Sequence, residues 1–270
     1  MNKILFATDF SESCNNAMHY LLKLIENSSA VVDIVHVYDI PVTSVSTLPY
    51  QAVKGMLDER KQVVVKQLSD IKGSIPSQHQ GETHAIYGIY PSSDIAECAA
   101  KTNAELVVMG LRQKYSLIDK MIGSITAHTM HKSPVPVLAI PSGSTFEKVE
   151  HILFPTAMDH INGISDDEYE AMEWLLSIRS FLQNPKIHLL HINATEEIEI
   201  AMKNGPLPHT DFTMSYADSV DEGIKDHLES HTTQWLAFYK PHRSFWEQLY
   251  HSSVSRKLLY HSRLPILIFS

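Results

Sequence analysis

Short runs of consecutive apolar residues alternate along this chain with longer stretches whose apolar residues recur every three or four positions. Residues 3–8 form the first run and end at the turn-like Asp9-Phe10-Ser11. Ser11 or Ser13 can cap a following helix in which Ala17, Tyr20, Leu21, Leu24 and Ile25 share one face. Val31 to Tyr38 reads as a second buried strand, followed after a long connection by a helix near 52–72. Glu82 to Tyr87 alternates as a weaker strand, and Ser92 or Ser93 opens a helix with Ile95, Cys98 and Ala99 inward. Val107-Val108-Met109 is a strand, residues 122–132 a helix, and Val137 to Ile140 the last strand of this set. Continuous apolar strands separated by amphipathic helices predict an α/β fold with a parallel sheet covered on both faces. Right-handed crossovers then make the sheet doubly wound, in the Rossmann-like manner.

The same pattern runs a second time. Residues 84–141 reappear without a gap 129 positions further on, so that Leu106-Val107-Val108-Met109-Gly110 maps onto Trp235-Leu236-Ala237-Phe238-Tyr239. Val135-Pro136-Val137-Leu138-Ala139-Ile140 maps likewise onto Leu264-Pro265-Ile266-Leu267-Ile268-Phe269. The offset is 148 at the opening strands, where Lys3-Ile4-Leu5-Phe6-Ala7-Thr8 parallels His151-Ile152-Leu153-Phe154-Pro155-Thr156. It is 155 at the second strands, where Ile34-Val35-His36-Val37 matches Leu189-Leu190-His191-Ile192. The fall from 155 to 129 removes 26 residues between Asn193 and His209, which predicts a short or missing second helix there. Pro141-Ser142-Gly143-Ser144-Thr145 reads as the linker, dividing the chain into domains at 1–145 and 146–270.

Bulk properties narrow the class. A length of 270 residues suits two domains, and 44% hydrophobic with 20% charged residues reads as globular. The formal net charge of −9 argues against a nucleic-acid partner, which needs a basic face. No apolar stretch approaches 18 residues, so no membrane span is expected. Asp9 and Glu12 interrupt the start before a signal-type apolar region forms, which favours a cytoplasmic location. The two cysteines, Cys14 and Cys98, fall in helices and read as reduced thiols.

The order of elements, the opening Ile4-Leu5-Phe6-Ala7-Thr8-Asp9-Phe10-Ser11, and Val108-Met109-Gly110 followed by Gly123-Ser124 resemble the universal stress protein family, in its tandem form. The resemblance implies two five-stranded parallel sheets of strand order 3-2-1-4-5, like those of the adenine nucleotide alpha hydrolases. It also implies, for one branch of the family, an ATP site with Mg at the carboxyl ends of the strands. The family's motif, Gly-x2-Gly-x9-Gly-(Ser/Thr), falls on Gly110, Gln113, Gly123 and Ser124, with Gln113 in place of the second glycine. A glycine loop lets backbone N–H groups approach phosphates, and a helix N-terminus adds favourable dipole charge. Gln113 either crowds the phosphates or hydrogen-bonds them. Arg112, Lys114 and Lys120 supply the positive charge an anion needs. Asp9 stands where the family places a carboxylate for the adenosine moiety, and Val37 where a backbone pairs with adenine.

The second copy loses these residues: Asp9 becomes Ala157, Gly110 becomes Tyr239, Gln113 becomes His242 and Gly123 becomes Ser252. Only Ser124 keeps its hydroxyl, as Ser253, while Tyr239, Phe245 and Trp246 would fill the nucleotide's space. Gly110 and Gly123 read alternatively as plain turn and cap glycines, and Asp9 as a helix cap. The histidine pairs His128/His131 and His227/His231 have helical spacing but no zinc-type partners, and read as solvated. His188 and His191 point to opposite faces of a strand. No nucleophile elbow accompanies Asp159, His160 and Ser253, so hydrolase chemistry is not expected. The expected function is a stress-response regulatory module binding one adenine nucleotide, with an unidentified protein partner. It is expected not to be an enzyme, or at most a slow ATPase. The alternative is an interaction scaffold that kept the fold and lost the ligand. The last strands, apolar and without a guarding charge, are expected to pair edge to edge as an internal pseudo-dimer, or between chains in a homodimer.

Overall fold

A computed structural model describes residues 1–40, 49–112, 124–156, 164–193, 209–239 and 263–269. Its strands are β1 (Lys3–Ala7), β2 (Val31–Tyr38), β3 (Gln80–Tyr87), β4 (Leu106–Leu111) and β5 (Val137–Pro141) in the first half. Those of the second half are β6 (His151–Pro155), β7 (Lys186–Asn193), β8 (Thr210–Tyr216), β9 (Trp235–Tyr239) and β10 (Ile266–Phe269). The helices are α1 (Glu12–Ile25), α2 (Tyr50–Ser74), α3 (Pro91–Thr102), α4 (Ser124–Lys132), α5 (Asp166–Ser177) and α6 (Val220–Ser230). All ten strands join one sheet in the order β3-β2-β1-β4-β5-β10-β9-β6-β7-β8. Each half therefore has the strand order 3-2-1-4-5 that the family resemblance implies, and the second half is laid down in reverse across the sheet.

The seam is antiparallel. Ile266, Leu267 and Ile268 of β10 lie opposite Ala139, Leu138 and Val137 of β5, whereas the other pairings are parallel. These residues carry no charge and are fully buried, so pairing the two apolar edges removes both from solvent.

Strand alternation sends Ile4 and Phe6 to one face and Leu5 and Ala7 to the other. Each face builds a core that crosses the seam: Phe6, Phe154 and Trp235 share one, Leu5, Leu153 and Leu236 the other. The contact between Trp235 of β9 and Tyr20 of α1, indole Nε1 donating to the phenol oxygen at 2.8 Å, ties the second half to a helix of the first. Gly143 in the linker has φ +78, a backbone region that suits glycine.

Helix α1 starts at an N-cap, Ser11, whose Oγ accepts from the Cys14 amide, and its buried face is the one expected. Helix α3 starts one residue before the predicted serines, with Pro91 in its first turn. In α5 the acidic run Asp166-Asp167-Glu168 occupies the first turn behind the cap Ser165, as its charge requires. The second-helix deletion of the second half falls at 194–208, outside the described residues.

Candidate functional site

The direction of winding reverses between β1 and β4, and the carboxyl ends of these strands form the switch point of an open sheet. Here β1 leaves the sheet at Thr8-Asp9. Phe10 takes a positive φ of 62, closing a tight turn whose amide bonds to Thr8 Oγ1 at 3.0 Å. The Asp9 carboxylate is held from several sides. Its Oδ1 accepts from the Ser11 amide at 3.0 Å and the Cys14 thiol at 3.2 Å, and its Oδ2 from the Arg112 guanidinium at 2.6 Å. Burial pulls the Asp9 carboxyl upward. The Ser11 and Cys14 hydrogen bonds and the Arg112 charge outweigh it, leaving its pKa below the ordinary value. Burial pushes the Cys14 thiol up, so it is a protonated donor and not a nucleophile.

Beside Asp9 lies His36, near the end of β2. Its Nδ1 is 2.7 Å from the Thr8 carbonyl, and its ring lies 4.2 Å from that of Phe10. Burial lowers the His36 pKa, so the ring is neutral and its Nδ1–H donates to that carbonyl. Val35 accepts from the Thr8 amide. Val37, two residues on, points its backbone the same way, past the end of β1 into the cleft. Thr126 of α4 donates to the Gly110 carbonyl at 3.4 Å. Together Thr8, Asp9, His36, Val37, Gly110 and Thr126 line a cleft of about 80 Å³.

Of the residues the sequence nominated, Asp9, Val37, Gly110 and Arg112 come together at this end of the sheet. Gln113 and Gly123 lie outside the described residues, and Ser124 opens α4 with its side chain likewise outside them. Gly110 also has a packing role beside its place in the cleft. It is a strand residue, not a turn, and a Cβ there would sit 2.8 Å from the Ser13 carbonyl carbon. The close approach it permits is that of the first turn of α1, which carries Ser11 and Cys14 to Asp9. Gly110→Ala is therefore expected to cost about 1–3 kcal/mol by overpacking. A lowered urea midpoint checks this, and an unchanged midpoint would mean that α1 moves aside freely.

The sequence reading passed over Thr8, Cys14, His36 and Thr126. One signal was available: His36 and His191 occupy the same place in the two copies. The structure shows why. His191 Nδ1 meets the Thr156 carbonyl at 3.1 Å, repeating the His36–Thr8 bond. Elsewhere the second half departs from the first. Tyr239 replaces Gly110, and its phenol reaches Asp167 of α5, with burial foremost in raising its pKa to about 12. The buried Glu168 carboxylate takes a hydrogen bond from Thr156 Oγ1 at 3.0 Å. Ala157, His242, Phe245, Trp246, Ser252 and Ser253 lie outside the described residues, as do Asp159 and His160. Among the described residues no group of three or more His, Cys, Asp or Glu side chains is placed to hold a metal ion. No described helix is long and apolar enough to cross a membrane.

Sheet order, switch point and the carboxylate at the end of β1 define a doubly wound α/β protein of the adenine nucleotide alpha hydrolase-like type. Residues 1–141 match the universal stress protein family, and the chain belongs to that family. A universal stress protein from Archaeoglobus fulgidus DSM 4304 superposes over 99% of this chain and 95% of its own, with TM-score 0.65 and 14% identity. A putative universal stress protein from Pseudomonas aeruginosa UCBPP-PA14 covers 100% of this chain and 93% of its own, with TM-score 0.58 and 9% identity. A universal stress protein family protein from Arabidopsis thaliana, solved with AMP bound, aligns with 52% of this chain and 92% of its own at 18% identity and TM-score 0.38. At these identities the likeness of the two full-length matches is one of fold. No curated protein matches the sequence.

Proposed function

We propose that this protein is a regulatory module of the stress response whose first half, residues 1–145, binds one adenine nucleotide. ATP, with Mg carried on its phosphates, or a related nucleotide fits the reading. The observation that carries it is the convergence of Asp9, the outward-facing backbone of Val37 and the Arg112 charge at the switch point between β1 and β4. Asp9 can accept from ribose hydroxyls, Val37 offers backbone groups to a base, and the amino end of α4 at Ser124 offers amides to phosphates. Residues 146–270 are proposed to be a second, degenerate unit of the same family. Tyr239 stands in it where a nucleotide unit has glycine, and its role is to close the sheet against the first. A cytoplasmic location suits this role.

Titration calorimetry with MgATP should find one site per chain, abolished by Gly123→Val. Asp9→Asn should weaken binding about tenfold or more, the worth of a hydrogen bond to a charged group. Gln113→Gly should tighten it; weakening would make Gln113 a ligand. Two sites per chain, or no heat at millimolar ATP, would sink the proposal.

One observation favours the scaffold reading. The Arg112 guanidinium already pairs with Asp9 Oδ2, so a ribose must share that oxygen or displace it. Mass spectrometry of the denatured protein, searching for co-purified nucleotide, separates the two readings. Neither needs turnover: among the described residues the cleft holds a protonated thiol and an ion-paired carboxylate but no activated nucleophile. Phosphate release at about 1 per second or faster, lost in Asp9→Asn, would show an enzyme.

A further inference from the structure

At the amino end of the second half, four histidines from three elements form a row. His151 Nδ1 of β6 lies 2.9 Å from His188 Nε2 of β7. The His188 ring is 6.5 Å from that of His227 on α6, and His227 stacks on His231, one turn further, at 4.2 Å and 11°. His227 is only 8% exposed, not solvated as its helical spacing led us to expect.

The internal repeat shows what stands at the same places in the first half. His151 aligns with Lys3, His188 with Asp33 and His227 with Cys98. Lys3 Nζ forms an ion pair with the buried Asp33 at 3.2 Å, and His84 Nε2 is 3.3 Å from the same carboxylate. Asp33 also accepts from the Glu82 amide at 2.9 Å, at a bulge where Gly81 leaves room for it. Cys98, buried beside them, has its thiol pushed up to about 11, first by burial and then by Asp33. The first half thus fastens α3 over a lysine, a carboxylate and an imidazole that faces that carboxylate, a set of complementary charge. The second half fastens α6, the counterpart of α3, over imidazoles that face one another and repel once charged.

We propose that the His151–His188–His227–His231 row is an acid-sensitive clasp, holding the last turn of α6 against the sheet when its imidazoles are neutral and releasing it when they gain protons. The His151–His188 contact needs one N–H and one lone pair; with both rings protonated, two donors and two charges stand face to face. His231 is exposed and stacks on the buried His227 ring, so a cation there would lie against it. Among the described residues little charge is at hand to compensate. Asp211 of β8, 60% exposed, is 3.8 Å from His188 Nδ1, and Lys186 of β7 opposes it. Lys225 and Glu229 of α6 pair with each other, as do Lys148 and Glu150 beside His151. Burial first, then His231 and His188, lowers the His227 pKa to about 4. With a folded value below the unfolded 6.5, stability is whole above about pH 6.5 and is lost as pH falls towards 4.

Hydrogen exchange on the full chain tests this, with α3 as an internal control. Between pH 7.5 and 5, corrected for intrinsic rates, the amides of the last α6 turn should lose about 30-fold in protection from His227 alone. Those of α3 should not. The variant His151→Lys/His188→Asp/His227→Cys, which installs the first half's residues, should reduce the α6 response to that of α3. An equal response in α3 and α6 of the wild type, or an undiminished one in the variant, overturns the proposal. Should the variant fail to fold, imidazole NMR titration of the wild type decides. Apparent pKa values for His188 and His227 below 6.5 support the clasp, and values at or above it refute it.

Discussion

Leu267→Lys is expected to leave little soluble, folded protein. Leu267 sits at the middle of the ten-stranded sheet, opposite Leu138 across the antiparallel seam and beside Ala237 of β9, and is fully buried. A lysine there must bury an unpaired ammonium or unpair the seam. The first costs several kcal/mol. The second uncovers the apolar edges Val137–Ile140 and Ile266–Phe269 to other chains. Against a typical stability of about 5–15 kcal/mol either is a large fraction. Val65→Lys is the control, because Val65 on α2 is 47% exposed and should tolerate the change. Soluble yield and a urea midpoint measure both. A soluble Leu267→Lys protein with the midpoint of the wild type would show that the seam does not hold the halves together.

The seam was legible because edge exposure is a local property. Two runs of apolar residues without a charge, each last in its repeat, announce edges that must be covered, and the repeat itself announces that they match. The doubly wound parallel sheet was legible for a similar reason, since strand–helix alternation and crossover handedness leave few topologies, while the strand order came through the family resemblance. Long-range placements were not. Nothing local in Gly110 distinguishes a phosphate-loop glycine from one that admits a neighbouring helix. That distinction rests on where Ser13 comes to lie, 97 residues away in the chain.

The same limit governed the ionisable groups. Asp9 was found because it ends a strand, but its capture by Arg112 depends on how β1 and β4 meet. Asp33 sits in an apolar run, Val31 to Tyr38, where its charge has no local explanation. Its partners come from β1 and β3. For His227 the helical spacing to His231 was read, yet burial of one of the pair needed the position of α6 on β7. Aligning the two copies residue by residue at Lys3/His151 and Asp33/His188 would have revealed the exchange of ion pair for imidazoles before any coordinates.

Trp235→Ala should be among the most costly single changes in the protein, and its effect should reach both halves. Trp235 is fully buried at the start of β9, in the core shared by Phe6 and Phe154. Truncating a buried tryptophan to alanine costs about 3–5 kcal/mol through lost burial and the cavity left. A further cost comes from Tyr20, whose phenol oxygen would lose the hydrogen bond it accepts from the indole while remaining buried on α1. Burial already holds that phenol at a pKa of about 12, so it cannot answer by ionising. Leaving such a group unsatisfied costs about 1–3 kcal/mol. Tyr20→Phe alone strands the indole N–H instead. The double variant Tyr20→Phe/Trp235→Phe removes both partners, and should cost less than the sum of the two single phenylalanine changes. Because Tyr20 and Trp235 belong to different halves of one core, unfolding followed by tryptophan fluorescence and by far-UV circular dichroism should give coincident transitions. Separate transitions, or a Trp235→Ala loss below about 1 kcal/mol, would mean that the halves fold as independent units and that this contact does not couple them.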